Sequence, residues 1–207
     1  MPHRCRAAAV TPGLLHISLC ALVLVQLGAE PALAHTPLGG VSGGFASGFL
    51  HPILGWDHAL AMIAVGLWGA FLGPPAIWIL PVVFPLVMVA GGVLGMAKVS
   101  LPMVESGIAL SLIVLGALIA LGQKAPMAIA AIIVGAFAIF HGHAHGAELP
   151  SAVSPVAYSA GFVIATGLLH AAGIAFGTLL SRDWGRLAIR GGGGAIALLG
   201  LALLIRG

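Results

Sequence analysis

HPILGWDH, residues 51–58, sets two imidazoles and a carboxylate inside an otherwise apolar sequence. LGGVSGGFASGFL precedes it and ALAMIAVGLWGAFLG follows it. The apolar flanks decide the fold class. Hydrophobic residues make up 60% of the 207-residue chain and charged residues 6%, against about 25% charged in a soluble domain. Several runs approach the roughly 20 apolar residues that cross a bilayer. The sequence therefore predicts an all-α, polytopic membrane helix bundle of about six spans with no added soluble domain.

The amino terminus reads as a leader. A basic start with Arg4 and Arg6 precedes the apolar core LLHISLCALVLVQL, and Ala32-Leu33-Ala34 forms a small-x-small cleavage site. That order is a secretory signal peptide over residues 1–34, with residues 35–207 as the six-span transmembrane domain. Removal after Ala34 would make His35 the first mature residue, outside the cytoplasm. An uncleaved first span is the competing reading. Cys5 and Cys20 both fall in the leader, so the mature chain carries no disulfide framework and no thiolate metal site. The formal charge of +3 is small and dispersed and does not suggest nucleic acid.

Breakers and hydropathy place the spans at about 40–72 (interrupted near Pro52), 76–97, 103–121, 126–141, 156–180 and 187–205. With an outside amino terminus, Lys124, Arg182, Arg186 and Arg190 fall inside, while Lys98 and Arg206 fall outside. That bias agrees with the positive-inside rule. Gly44 and Gly48, Gly91 and Gly95, Gly142 and Gly146, and Gly173 and Gly177 are spaced for close helix packing.

The rare polar groups converge. On a continuous helix His51 and His58 return to one face, with Asp57 about 100° from His58. Pro52 favours a helix start at that point, and Gly55 allows distortion. Glu105 lies near the outer end of the third span. His141, His143 and His145 lie at the outer end of the fourth, with Glu148 just after, and His170 lies about halfway down the fifth. Alternation puts all of them, with His35, in the outer half or near the midplane. Each has a plain structural reading: a capping histidine, an interfacial carboxylate, a solvated loop, a packed core histidine. Together they mark a pathway, because ionisable groups at membrane depth are costly. Imidazoles with carboxylates suit nickel, zinc, cobalt or copper(II).

Three classes fit such a set: a transition-metal permease, a membrane-embedded metalloenzyme, and a metal sensor or donor. Ligands spread over four spans favour a permease, and no HExxH or GxSxG motif occurs. On this reading His143 and His145 gather metal at the outer mouth, whereas His51, Asp57, His58 and Glu105 form the obligatory entry site. Nothing in the sequence provides a nucleotide site, so direct ATP coupling is not expected.

At these residues the chain resembles the HupE/UreJ proteins. The resemblance rests on His51-Pro52, Gly55, Asp57 and His58, then Ala61-Met62 and Val65-Gly66-Leu67-Trp68. It continues through Glu105-Ser106-Gly107-Ile108-Ala109, His141-Gly142-His143-Ala144-His145-Gly146 and Gly167-Leu168-Leu169-His170. It implies a six-span nickel permease of the bacterial inner membrane, associated with hydrogenase or urease maturation proteins. No enzymatic activity and no resident cofactor are implied. Ni2+ would be the transported substrate, with Co2+ or Zn2+ open from the residues alone. His51, Asp57, His58 and Glu105 match family positions thought important for uptake.

Overall fold

The computed structural model describes residues 40–149 and 154–206, with side chains from 43 onward. The predicted leader and His35 lie outside the described residues. Seven α-helices make up the described chain: α1 (Gly40–Leu54), α2 (Trp56–Leu72), α3 (Ala76–Met96), α4 (Val104–Leu121), α5 (Met127–Ala147), α6 (Pro155–Gly177) and α7 (Asp183–Arg206). A short 3-10 turn, Thr178–Ser181, joins the last two. Five of the helices are long and apolar enough to cross a membrane. The bent pair α1–α2 makes a sixth span if counted as one. This is an integral membrane protein with several spans, as the composition requires.

The first predicted span is the informative one. Run straight, α1 and α2 would measure roughly 50 Å, well beyond a hydrocarbon core of about 30 Å. Instead the pair bends by 77°. The bend is not at Pro52, which lies inside α1. It is at Gly55, whose extended backbone (φ −75°, ψ 91°) precedes α2. Pro52 therefore does not start a helix.

The other boundaries follow the hydropathy reading closely except in α5. That helix runs on through His141, His143 and His145 to Ala147, where falling hydropathy suggests an exit from the membrane. The extension is held by packing. Gly91 and Gly95 of α3 face the α5 backbone at Ile139 and His143, and Gly142 and Gly146 face α3 at Met88 and Gly92. Glycine likewise brings α6 against α1 at Gly48 and Tyr158, and against α2 at Gly66 and His170. The expected close approaches are thus present, and they are mutual.

α2 occupies the centre. Its middle, from Ala61 to Gly69, is largely buried, and it packs against α3, α4 and α6. Large apolar side chains such as Trp78, Leu86, Ile132 and Leu198 point outward, as lipid-facing residues should. The ends sort into two faces. Trp68 Nε1 donates to the Gln123 carbonyl at 3.2 Å, and Arg190 Nε to the Ala120 carbonyl at 2.7 Å. These bonds gather the ends of α2 and α4 and the start of α7. On the opposite face, His143 of α5 meets Val99, just after α3.

Candidate metal centre

The bend at Gly55 puts His51 on one arm and Asp57 and His58 on the other. The two imidazoles end 6.4 Å apart by ring centroids. They meet because the helix breaks between them, not because they share one helix face. Asp57 sits in the first turn of α2, where the helix dipole favours a carboxylate. Its Oδ1 accepts the backbone N–H of His58 at 2.9 Å and lies 2.9 Å from His58 Nδ1. A carboxylate accepts only, so a neutral His58 carries its proton on Nδ1. Its Nε2 lone pair is left bare, buried, and without a partner among the described residues. Metal-binding histidines are oriented by this carboxylate–imidazole arrangement.

A second imidazole is prepared in the same way. The Ser111 hydroxyl donates to the Ile108 carbonyl at 2.6 Å. With its proton committed, Ser111 Oγ accepts from His141 Nε2–H at 3.0 Å. His141 is then bare at Nδ1, which has no partner among the described residues. Ser111 was not singled out by the sequence reading. It lies in the third span, and a serine bonding back to its own helix is common in apolar helices.

His145 stands between these groups. Its ring lies 4.6 Å from His51, 4.4 Å from His58 and 4.2 Å from Phe162. Neither of its nitrogens has a hydrogen-bond partner among the described residues. His58 and His141 are 4.9 Å apart. Glu148, one residue past α5, lies 3.5 Å from His51 Nε2 through Oε2. Ligand atoms of His51, His145 and Glu148 all fall within 4.8 Å of one another. The cluster therefore holds four imidazoles flanked by the carboxylates of Asp57 and Glu148, whose two charges match a divalent cation.

Three expected site residues stand apart. His143 is buried in α5, but its Nε2 lies 2.7 Å from the Val99 carbonyl and it faces away from the cluster. Helical geometry explains this: residues 141 and 145 share a face, while 143 lies about 200° round. His143 and His145 thus do not form a solvated outer mouth. Glu105, in the first turn of α4, is exposed. His170 is also buried, and the ring of Phe84 touches both it and the cluster, with centroids 5.6 Å from His141 and 5.4 Å from His170.

The geometry separates neighbours that composition cannot. His145→Gln should weaken binding of a divalent cation by roughly tenfold or more, since it removes the ring that touches both His51 and His58. His143→Gln should leave that binding within about twofold and lower only stability, by about 1 kcal/mol for a lost buried hydrogen bond. Nickel titration and thermal unfolding of the purified proteins check both. Equal losses would contradict the division.

The chain is 48% identical over 177 residues to "Protein HupE" of Rhizobium leguminosarum bv. viciae, covering 86% of this chain and 93% of that one. No solved structure matches it. The sequence profile described as "HupE / UreJ protein" matches residues 22–203, and on that span the chain belongs to the HupE/UreJ family.

Proposed function

We propose that this protein is a nickel permease that carries the divalent cation from the periplasm into the cytoplasm. The observation that supports it best is the set of bare, buried imidazole nitrogens at graded depth. Along α5, His145 lies about 3 Å and His141 about 9 Å below Ala147 by helix rise. The triad His51, His145 and Glu148, with ligand atoms within 4.8 Å of one another, lies on the outer side, and the rings of His58 and His141, 4.9 Å apart, lie beneath it. A cation losing water at the triad would find replacement nitrogens at the pair. His145 has no orienting hydrogen bond among the described residues and lies 4.4 Å from His58, so its ring can serve both. Asp57, through His58, and Glu148 offset the charge, and Glu105 adds attraction at the entrance. Incomplete coordination in each place suits an ion that must leave again.

Placing Lys124, Arg182, Arg186 and Arg190 in the cytoplasm orients the histidine cluster toward the periplasm. The protein then belongs in the bacterial inner membrane. Its mature amino terminus is periplasmic after removal of residues 1–34, and His35 is an outer capture residue. Hydrogenase or urease maturation proteins would use the delivered nickel. Nickel itself rests on family membership, since imidazole and carboxylate also suit cobalt and zinc.

Uptake by liposomes containing the purified full chain tests the proposal, with nickel, cobalt and zinc supplied separately. Nickel should accumulate inside, fastest of the three. Binding to the purified protein should weaken as pH falls from about 7.5 to 5, because imidazole must be neutral to coordinate. Tight binding with no accumulation of any metal would overturn the permease reading and favour a sensor, donor or metalloenzyme.

A further inference from the structure

His170 is a histidine within an otherwise apolar stretch of α6. It is 1% exposed, lies well inside α6, and makes no hydrogen bond through either nitrogen among the described residues. Buried polar groups without partners are costly, and an apolar residue of similar size would avoid the cost. What surrounds it points to a ligand. α3 contains Pro81 and Pro85 within the helix. Pro85 has no N–H, so the Pro81 carbonyl loses its helical donor. That carbonyl faces the His170 ring closely enough to interact with it, yet neither nitrogen reaches hydrogen-bonding geometry. One turn away on the same face of α6, the buried Thr166 hydroxyl also lacks a partner among the described residues. A freed carbonyl at a helix irregularity is a recurrent cation ligand in transporters.

The Phe84 ring separates this place from the histidine cluster, with its centroid 5.6 Å from that of His141 and 5.4 Å from that of His170. Phe84 fills the gap between them, fully buried and edge-on to His170 at 89°. An aromatic ring offers no lone pair to a hydrated cation, so passage requires it to turn aside.

We propose that His170 and the Pro81 carbonyl, with Thr166 nearby, form a second resting place for the divalent cation, and that Phe84 is the movable partition between it and the histidine cluster. This rests on the permease reading above. The cation would arrive from His141, exchange imidazole for imidazole, and leave toward the cytoplasm. Two separated, incomplete sites suit conduction better than one complete site, since neither holds the ion too tightly.

The test uses the full chain in liposomes with nickel as the probe. Nickel binding, initial uptake rate and thermal midpoint are measured for wild type, His170→Leu and His170→Gln. Both variants should keep nickel binding at the outer cluster within about threefold and lose roughly tenfold or more in uptake. His170→Leu should melt no earlier than wild type, because it removes unpartnered polar atoms. A histidine present only for packing predicts the reverse: wild-type uptake with an altered midpoint. Either wild-type uptake in both variants, or a loss of uptake matched by lost binding and folding, would overturn the second site. Phe84→Leu should increase backward leak from nickel-loaded vesicles, and an unchanged leak would remove Phe84 as the partition. If wild-type vesicles bind nickel but do not accumulate it, the permease reading fails first, and the second site fails with it.

Discussion

His58→Gln should abolish nickel uptake at every concentration while the protein inserts at normal abundance. His58 is the imidazole whose lone pair is most firmly aimed. Asp57 holds its Nδ1 at 2.9 Å, the ring packs 4.4 Å from His145 and 4.9 Å from His141, and Nε2 is the buried atom left free. Glutamine keeps a polar side chain but loses the aromatic nitrogen and the orienting bond. Asp57→Asn is expected to behave differently from a ligand loss. Asparagine nearly keeps the volume but removes the charge, and its amide can hold the wrong tautomer. Affinity should fall by about 10–100-fold, the usual cost of losing an outer-shell partner, with partial recovery at high nickel. Concentration-dependent uptake separates the two. Total loss in Asp57→Asn that no concentration repairs would make the carboxylate a direct ligand, as the sequence reading expected. Wild-type uptake in His58→Gln would remove the cluster from the pathway.

Gly142→Ala should be the most damaging single methyl among the described glycines. A Cβ there would stand 1.9 Å from the Met88 carbonyl oxygen, which is backbone and cannot swing away. One turn on, a Cβ on Gly146 would stand 2.1 Å from the Gly92 carbonyl oxygen, so this face of α5 has no slack against α3 over two turns. Overpacking usually costs about 1–3 kcal/mol, and a backbone clash of this kind should exceed that range. His141 and His145 would move with α5, so the cluster should fail together with the fold. Gly167→Ala is the matched control, because nothing lies within 4 Å of a Cβ at that helical position. It should be neutral or stabilising by up to about 1 kcal/mol. Thermal unfolding in detergent compares them. A Gly142→Ala protein that melts with Gly167→Ala would show that the helices yield far more easily than their contact suggests.

Most of the fold was legible because the bilayer enforces one rule, long apolar helices, and Gly73-Pro74-Pro75 and Gly122 mark ends plainly. The site was legible as composition but not as geometry. Hydropathy alone ends the fourth span where histidines begin, yet a bundle interior can be polar when its polar groups meet one another. Extending α5 by helical period would have sorted His141 and His145 from His143. The bend at Gly55 was only half legible: Pro52 drew attention, but proline near the end of a helix can leave it intact. Ser111 and Phe84 carry no signal of their own in an apolar run. Their importance comes from what faces them across the bundle.

The elbow at Gly55 has a consequence in coordination chemistry. Backbone hydrogen bonds close on both sides of it, from Gly55 N–H to His51 at 3.0 Å and from Ala59 N–H to Gly55 at 2.8 Å. The irregularity is thus confined to a single residue, and that residue has no Cβ. His51 and His58 ride on two rigid arms whose mutual angle is set by the torsions of one glycine, with ring centroids 6.4 Å apart. Small rotations there would change the spacing of the two imidazoles without disturbing either arm.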